Sequence, residues 1–208
     1  MISSELIVAL ISIVLHVANY NATAQYEYTT RTFTKVAIAE KINFILIGKN
    51  TIYYYAVYLI ASALVRDHFI DVAIRADRFG VEMFPDEFAT LLGNSCFIFG
   101  ILLNIWTLYC LGIKGMYNGD SFGHIMDAPV TGGVYQYFND PQYVGTTISC
   151  LGYAIRYQSI NGFICTAAMG LVFYISVKFV EGPHMNRIYE NKNASRINFK
   201  NLKSLRNL

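Results

Sequence analysis

Long apolar runs separated by short polar segments set the pattern of this chain, and none of them alternates as the strands of a membrane β-barrel do. The runs cover residues 7–18, 36–47, 51–65, 88–111 and 143–180. The run 88–111 carries no charge and exceeds the ~20 residues that a helix needs to cross a hydrocarbon core. Polar residues at 156–162 divide the last run and predict two helices joined by a tight turn. Because backbone groups inside lipid must bond to each other, we predict helices throughout.

The composition supports a membrane protein. The chain has 208 residues, of which 54% are hydrophobic and 14% are charged, whereas soluble domains are about one-quarter charged. We predict an all-α, polytopic transmembrane helix bundle with four or five membrane helices. It forms a single domain over residues 1–208, in which the basic tail 191–208 is flexible. The oligomeric state stays open.

Charge and cysteine usage exclude two classes of function. The net charge of +2, with no basic run carrying interleaved aromatics outside the tail, argues against nucleic acid as a partner. The cysteines all lie in apolar runs without the spacing of metal ligands, and we predict that they are buried small hydrophobes; they are Cys96, Cys110, Cys150 and Cys165. No metal site is predicted.

The distribution of lysine and arginine favours one orientation. Six of these residues follow Glu181, four lie in 20–50, three in 66–87 and one in 113–142. Five crossings place the tail, 20–50 and 113–142 in the cytosol, whereas four place the last two segments outside. A partly inserted hairpin for 143–180, and a signal peptide for the first run, are the alternatives. The leader has Glu5 and no lysine or arginine before its apolar part, which disfavours a signal peptide.

Glycines cluster just after the run 88–111. Gly115, Gly119 and Gly123 recur every four residues, which on a continuous helix would form a smooth face for close helix packing. Gly112 breaks that period, and Asp120 interrupts it with a charge. A glycine-rich turn at a helix end is the alternative, because it lets backbone N–H groups approach a ligand. Both interpretations stay open.

Two further segments carry polar residues at the ends of apolar runs. Asp140 and Pro141 predict a helix start, with the aspartate as cap and the proline at the first position. That interpretation does not account for Tyr143 and Gly145. Glu181 stands where the last run ends. A carboxylate at the membrane edge is by default a functional hypothesis.

Taken together, residues 111–132, 139–145 and 181–190 resemble the phospholipid methyltransferase family, small membrane enzymes that convert phosphatidylethanolamine or its monomethyl form to phosphatidylcholine. The family pattern is roughly G-x-x-G-x-x-x-G-D-x-F-G, then N/D-P-M-Y-x-G, then E-E-P-F-x-x-x-I-Y. The chain matches it at Gly112, Gly115, Gly119, Asp120, Phe122, Gly123, Pro141, Tyr143, Gly145, Glu181, Pro183, Ile188 and Tyr189. Weaker likeness at 25–27 and 64–67 extends the resemblance over roughly residues 15–192.

The resemblance implies an enzyme that uses S-adenosyl-L-methionine as methyl donor and a membrane phospholipid as substrate. It implies an integral protein of the endoplasmic reticulum, with a cytosolic C-terminus and an active site at the cytosolic membrane edge. The candidate catalytic residues are Asp120 and Glu181, since a carboxylate can take the proton of the lipid amine. Candidate cofactor-binding residues are Ile98, Phe99, Gly100, Gly112, Gly115, Gly119, Gly123, Tyr143, Gly145, Glu181, Gly182 and Tyr189. Glu181 is favoured as cofactor ligand, and Asp120 is open to either role.

The chain departs from the family pattern at cofactor positions. The paired glutamates of the family appear as Glu181-Gly182, and its Gly-x-Gly reads Ile98-Phe99-Gly100. Gln25 and Pro129 replace two arginines of the family pattern. A weakened, retuned or inactive enzyme is therefore left open.

Two rival functions remain. A related membrane methyltransferase acting on prenylated cysteine carboxylates has arginine-histidine before its P-x-Y-x-G motif, where this chain has Asn139-Asp140. A non-enzymatic scaffold whose glycines merely pack helices is the other. His124, four residues after Asp120, titrates near neutrality in its ordinary state but stands where the family carries an aliphatic residue.

Overall fold

Within residues 3–39, 51–128 and 130–205, which a computed structural model describes, the chain is helical and contains no β-strand. The α-helices are α1 (Ser4–Thr30), α2 (Thr32–Ala39), α3 (Thr51–Ala76), α4 (Asp86–Met116), α5 (Pro141–Tyr157), α6 (Ile160–Ser176) and α7 (Gly182–Leu205). Short 3-10 helices cover Gly119–Phe122 and Gly133–Gln136, and a π-helical turn, Val177–Glu181, joins α6 to α7. The predicted all-helical architecture is confirmed. Much of the predicted run 36–47, and Pro129, lie outside the described residues.

Three of the described helical stretches are long and apolar enough to cross a membrane: Ser4–Thr30, Asp86–Phe122 and Ile160–Ala194. They contain the predicted runs 7–18 and 88–111 and the second half of 143–180. The protein is therefore an integral membrane protein. The helix α3 is one residue shorter than α1, but charged residues in its second half make it too polar for this set; they are Arg66, Asp67, Asp71 and Arg75.

The predicted division of 143–180 is confirmed. The helix α5 ends at Tyr157, Gln158 adopts a left-handed conformation with φ 48°, and the side chain of Ser159 caps α6 by accepting from Gly162 N at 3.0 Å. Pro141 opens α5 as predicted. Asp140 occupies the cap position, but its side chain makes no cap hydrogen bond.

The helices α4 and α5 pack directly against each other through four glycines: Gly93, Gly100, Gly145 and Gly152. A Cβ atom on Gly100 would lie 2.3 Å from the Gly145 carbonyl oxygen, and one on Gly152 would lie 2.5 Å from that of Gly93. Small residues at these positions let two backbones meet, as is common in membrane helix pairs. We call these four residues the glycine seam.

Hydrogen bonds link the connecting segments to neighbouring parts of the chain at two opposite ends of the bundle. At one end Arg31 Nη1 donates to Ser121 O at 3.2 Å, and Lys192 Nζ donates to Met126 O at 2.6 Å. At the other end the loop after α3 is bound to the α5–α6 turn, since Met83 N donates to Gln158 Oε1 at 2.8 Å. Segments 20–39, 113–142 and the start of α7 thus share one end, and the 77–86 loop lies at the other.

Candidate active site

A cavity of about 850 Å³ runs between α1, α3, α4, α5 and α6. Its α3 lining extends from Leu59 to Arg75, a rise of 16 steps or about 24 Å along the helix. One end is lined by Asp120, Asp140 and Glu181, and we call it the acidic end. The middle is apolar and includes Ile101, Met169 and Phe173. The cavity therefore combines a charged mouth with an interior suited to hydrocarbon.

The glycine-rich segment 112–123, here called the glycine loop, is a turn rather than a continuous helix. The backbone leaves helical geometry at Gly112 with φ 65°, and α4 ends at Met116. Asn118 and Gly123 then take left-handed conformations with φ 57° and 89°. Gly115, Gly119 and Gly123 therefore share no helix face, so the turn interpretation of this segment is confirmed.

The glycine loop holds Asp120 in a buried position, with 5% of the residue exposed. Its Oδ1 accepts from Met126 N and from the Tyr189 hydroxyl, each at 3.3 Å. Gly119, just before it, leaves no room for a side chain, because a Cβ would lie 2.3 Å from Lys114 O. Asp120 is thus tied to the loop that follows it and to α7.

Glu181 is the last residue of the π-helical turn, a local geometry that often marks functional sites. The Tyr143 hydroxyl donates to its Oε2 at 2.5 Å. That hydroxyl also lies 2.9 Å from the Tyr20 hydroxyl, which is 3.1 Å from Ser176 Oγ. A chain of hydroxyl groups from α1, α5 and α6 therefore fixes the Glu181 carboxylate.

Electrostatically the acidic end is suited to cations. Tyr117, Tyr135 and Tyr143 line it beside the carboxylates, and among the described residues no lysine, arginine or histidine lines it there. Burial raises the pKa of Asp140 above its ordinary value. Burial, and next the nearby Asp140 charge, raise the pKa of Tyr135 to about 12, so that it stays a neutral hydroxyl. Tyrosine faces and carboxylates are the groups that hold organic cations.

The predicted site residues fall into three groups. Gly115, Asp120, Tyr143 and Glu181 line the cavity together. Gly119, Gly123 and Tyr189 surround Asp120 without lining it. The remaining predicted residues do not line the cavity. Gly100 and Gly145 lie in the glycine seam, and Ile98 and Phe99 lie on the exposed side of α4. Gly112 lies at the kink of α4 in open space, and Gly182 directly follows the π-helical turn.

Tyr20, Tyr135 and Asp140 are cavity residues to which the sequence assigned no site role. Asp140 stood out in the sequence only as a helix cap, and its missing cap bond is visible only in the structure. Tyr20 lies in the first helix, far along the chain from the three motifs. Its contact with Tyr143 depends on how α1 packs against α5 and α6, which no local pattern indicates.

His184 and Ser121 support the site from outside the cavity. His184 Nε2 lies 3.0 Å from Ser121 Oγ, and its Nδ1 lies 3.2 Å from Arg187 Nη2. Since an arginine can only donate, Nδ1 is the acceptor and Nε2 carries the proton given to Ser121. His124 does not line the cavity, and burial together with Lys114 and Arg31 lowers its pKa.

Comparisons with known proteins point to one family. The family model described as phospholipid methyltransferase matches residues 88–192. Phosphatidylethanolamine N-methyltransferase B of Dictyostelium discoideum is 66% identical over 99% of this chain and 98% of its own length. The phosphatidyl-N-methylethanolamine N-methyltransferase of Saccharomyces cerevisiae is 29% identical over 94% and 90%, and the phosphatidylethanolamine N-methyltransferase of Homo sapiens is 25% identical over 89% and 88%. No solved structure matches the chain.

Proposed function

Because this chain belongs to the phospholipid methyltransferase family, we propose that it transfers methyl groups from S-adenosyl-L-methionine to the amine of phosphatidylethanolamine and its mono- and dimethyl derivatives, toward phosphatidylcholine. The relatives are named for phosphatidylethanolamine and for phosphatidyl-N-methylethanolamine. The observation that carries the proposal is that Asp120, Tyr143 and Glu181, from three separate parts of the chain, line one end of a single cavity.

The side chains at the acidic end suit the binding of S-adenosyl-L-methionine, the methyl donor. S-adenosyl-L-methionine supplies a methyl group on a positively charged sulfonium and carries a second positive charge on its ammonium group. Glu181, oriented by the Tyr143 hydroxyl, is our candidate for binding that ammonium. Tyr117 and Tyr135 line the same end, where each tyrosine face can add about 0.5–2 kcal/mol of cation–π attraction.

Asp120 is our candidate for the proton acceptor. A lipid amine attacks only when neutral, and at pH 7 most of it is protonated, so a carboxylate beside the amine lowers the barrier by taking that proton. Met126 N and the Tyr189 hydroxyl both donate to Oδ1. We therefore assign Oδ2 as the oxygen that receives the proton. Holding the two reactants in line contributes a further ~7–11 kcal/mol in well-aligned systems.

The two substrates suggest where the site lies. The lipid amine stays at the headgroup plane, and the methyl donor arrives from the cytosol, so we place the acidic end at the cytosolic membrane edge. Five crossings, by α1, α3, α4, α5 and α6, put the C-terminus in the cytosol. This agrees with the shared end of segments 20–39, 113–142 and the start of α7. The endoplasmic reticulum is our proposed membrane.

The rival substrate is disfavoured by charge. A prenylated cysteine carboxylate is an anion, and it would meet Asp120, Asp140 and Glu181 with no cation among the described lining residues of that end. A lipid amine suits these carboxylates better, because most of it arrives protonated and positively charged at pH 7. A scaffold needs no such convergence of carboxylates.

Purified protein in vesicles, supplied with labelled S-adenosyl-L-methionine and each of the three lipid amines in turn, tests the proposal directly. We expect label in the lipid fraction. We also expect Glu181→Gln to weaken binding of S-adenosyl-L-methionine about 10- to 100-fold, as loss of a charged hydrogen-bond partner does. Glu190→Gln, on an exposed position of α7, is the matched control. A scaffold would give no label and no binding that depends on Glu181.

A further inference from the structure

The cations that line the cavity lie outside its acidic end. Among the described residues they are His16, Arg66, His68 and Arg75, all along α1 and the second half of α3. Arg66 differs from Arg75 in burial, since its side chain is 6% exposed whereas that of Arg75 is 54% exposed. A buried guanidinium inside a membrane helix bundle is costly unless an anion accompanies it.

The protein neutralises Arg66 incompletely. Its Nε and Nη2 both reach one oxygen, Asp67 Oδ1, at 2.9 and 2.7 Å, and no other described residue bonds to it. The Asp67 side chain is 54% exposed, so solvent also weakens its field. An arginine has five N–H donors. Asn104 Oδ1 is the one fully enclosed polar side-chain atom without a partner in the described chain, so the spare Arg66 donors border open space.

The pairing of α1 with α3 shows where Arg66 lies along the cavity relative to the acidic end. The helices α1 and α3 run antiparallel, because Thr23 Oγ1 lies 2.7 Å from the Tyr55 hydroxyl and His16 Nδ1 lies 2.9 Å from Ser62 Oγ. Arg66 follows Ser62 by one helical turn, about 6 Å. Helical side chains lean toward the N-terminus of their own helix. The N-terminus of α3 faces the acidic end, so we expect the guanidinium to lean toward that end.

We propose that Arg66 binds the phosphate of the lipid headgroup while the acidic end holds its amine; this inference rests on the proposed function. In an ethanolamine phospholipid the nitrogen stands two carbons and one oxygen away from phosphorus. The headgroup therefore presents a cation outermost and an anion one step deeper. The cavity offers a partner for each part, with carboxylates at its acidic end, a guanidinium farther along α3, and apolar residues such as Ile101 and Phe173 lining the same space for the acyl chains.

Arginine is the appropriate side chain for this contact. Its planar fork donates two parallel hydrogen bonds to phosphate oxygens, and Asp67 engages the side chain through a single oxygen. The contact also selects substrates, because an amphiphile with an amine but no phosphate would leave Arg66 without its anion. Arg66 is thus a positioning and specificity residue, distant from the methyl group that moves.

The test compares Arg66→Gln with the matched control Arg78→Gln, at an exposed arginine of the 77–86 loop that does not line the cavity. Each variant is assayed in mixed micelles with phosphatidylethanolamine and with an acyl ester of ethanolamine, which carries the same amine but no phosphate. We expect Arg66→Gln to raise the KM for phosphatidylethanolamine about 10- to 100-fold and to leave the kinetics of the phosphate-free amine unchanged. Arg78→Gln should change neither. Equal losses for both substrates, or no loss for either, would overturn the inference.

A second readout does not depend on turnover. Fluorescent phosphatidylethanolamine should bind more weakly to Arg66→Gln saturated with S-adenosylhomocysteine, while the affinity for S-adenosylhomocysteine itself stays at the wild-type level and reports correct folding. If Arg66→Gln does not fold, Arg66→Lys keeps the charge without the fork. That variant should raise the KM for phosphatidylethanolamine alone.

Two further measurements distinguish a failure of the phosphate site from a failure of the proposed function. Glycerophosphoethanolamine has the same phosphate without acyl chains, and we expect it to compete weakly; tight competition that depends on Arg66 would overturn a lipid headgroup as the ligand. Wild-type protein that methylates no lipid amine would refute the proposed function itself. Active wild-type protein with an unchanged KM in both Arg66 variants would refute only the phosphate site.

Discussion

The glycine seam and the glycine loop use the same residue type for different physical reasons. In the seam, Gly100 and Gly145 sit in regular helix and are required because a neighbouring backbone occupies the space of a side chain. In the loop, a Cβ on Gly112 would have no neighbouring atom within 4 Å, but the residue adopts φ 65°, which other residues rarely take. The seam serves packing between two helices, whereas the loop depends on backbone conformation at Gly112 and on space within the turn at Gly119.

The glycines of the family motifs do not all lie at the candidate site. Gly100 and Gly145 were predicted to bind the cofactor, and that role stays a prediction, but their surroundings are the α4–α5 contact rather than the cavity lining. Gly115 does line the cavity. A family motif therefore mixes residues that build the bundle with residues that border the site.

The largest effect should come from the seam. In Gly100→Leu the first side-chain atom alone would lie 2.3 Å from both Gly145 O and Ser149 Oγ. The helices α4 and α5 would have to separate, which costs more than the ~1–3 kcal/mol of ordinary overpacking. We expect little monodisperse protein in detergent and a much lower melting temperature. Near-normal yield and stability would show that the seam is not the main contact of the bundle.

Much of the fold could be predicted from the sequence, because the lipid environment simplifies the problem. The uncharged run 88–111 and the break at 156–162 located α4 and the α5–α6 turn, since apolar length and interruption are local properties. The roles of the glycines could not be predicted in this way. Spacing by four residues is compatible with a helix face and with a turn, and only the end of α4 at Met116 decides between them.

The sequence predicted two of the three carboxylates at the acidic end, and it predicted neither Asp140 nor the burial of Arg66. Asp120 and Glu181 stood at the ends of apolar runs, where a charge is conspicuous. Arg66 also ends an apolar run, but nothing local shows that its side chain is 6% exposed beside a cavity. Burial of that kind is set by how α1 packs against α3, which is a property of the whole bundle.

A smaller effect, and one on binding rather than folding, is expected from the loop. In Gly119→Ala the added methyl group would lie 2.3 Å from Lys114 O, so the turn carrying Asp120 must shift. We expect the affinity for S-adenosyl-L-methionine, measured by equilibrium binding, to fall about tenfold, the equivalent of ~1.4 kcal/mol. Thermal stability should change less than in the seam variant. Gly132→Ala, which has nothing within 4 Å, is the control and should bind normally.

An unchanged affinity in Gly119→Ala, with lost stability instead, would remove the distinction between the two regions. Both would then be packing devices, and the glycine loop would have no special connection to the cofactor.

The smallest effect has the opposite sign and concerns a helix glycine that belongs to neither region. Gly170 lies within α6, and a Cβ there would meet only Thr147 Cγ2, at an ordinary contact distance of 3.6 Å. Alanine restricts the unfolded chain more than glycine does and favours helix, so Gly170→Ala should stabilise the protein by ~0.4–1 kcal/mol. The measurement is the melting temperature in the same detergent as for Gly100→Leu, together with turnover, which should be unchanged. If Gly170→Ala destabilised the protein as strongly as Gly100→Leu, the damage would follow from any side chain within the bundle, and the backbone contact at Gly145 would not be its cause.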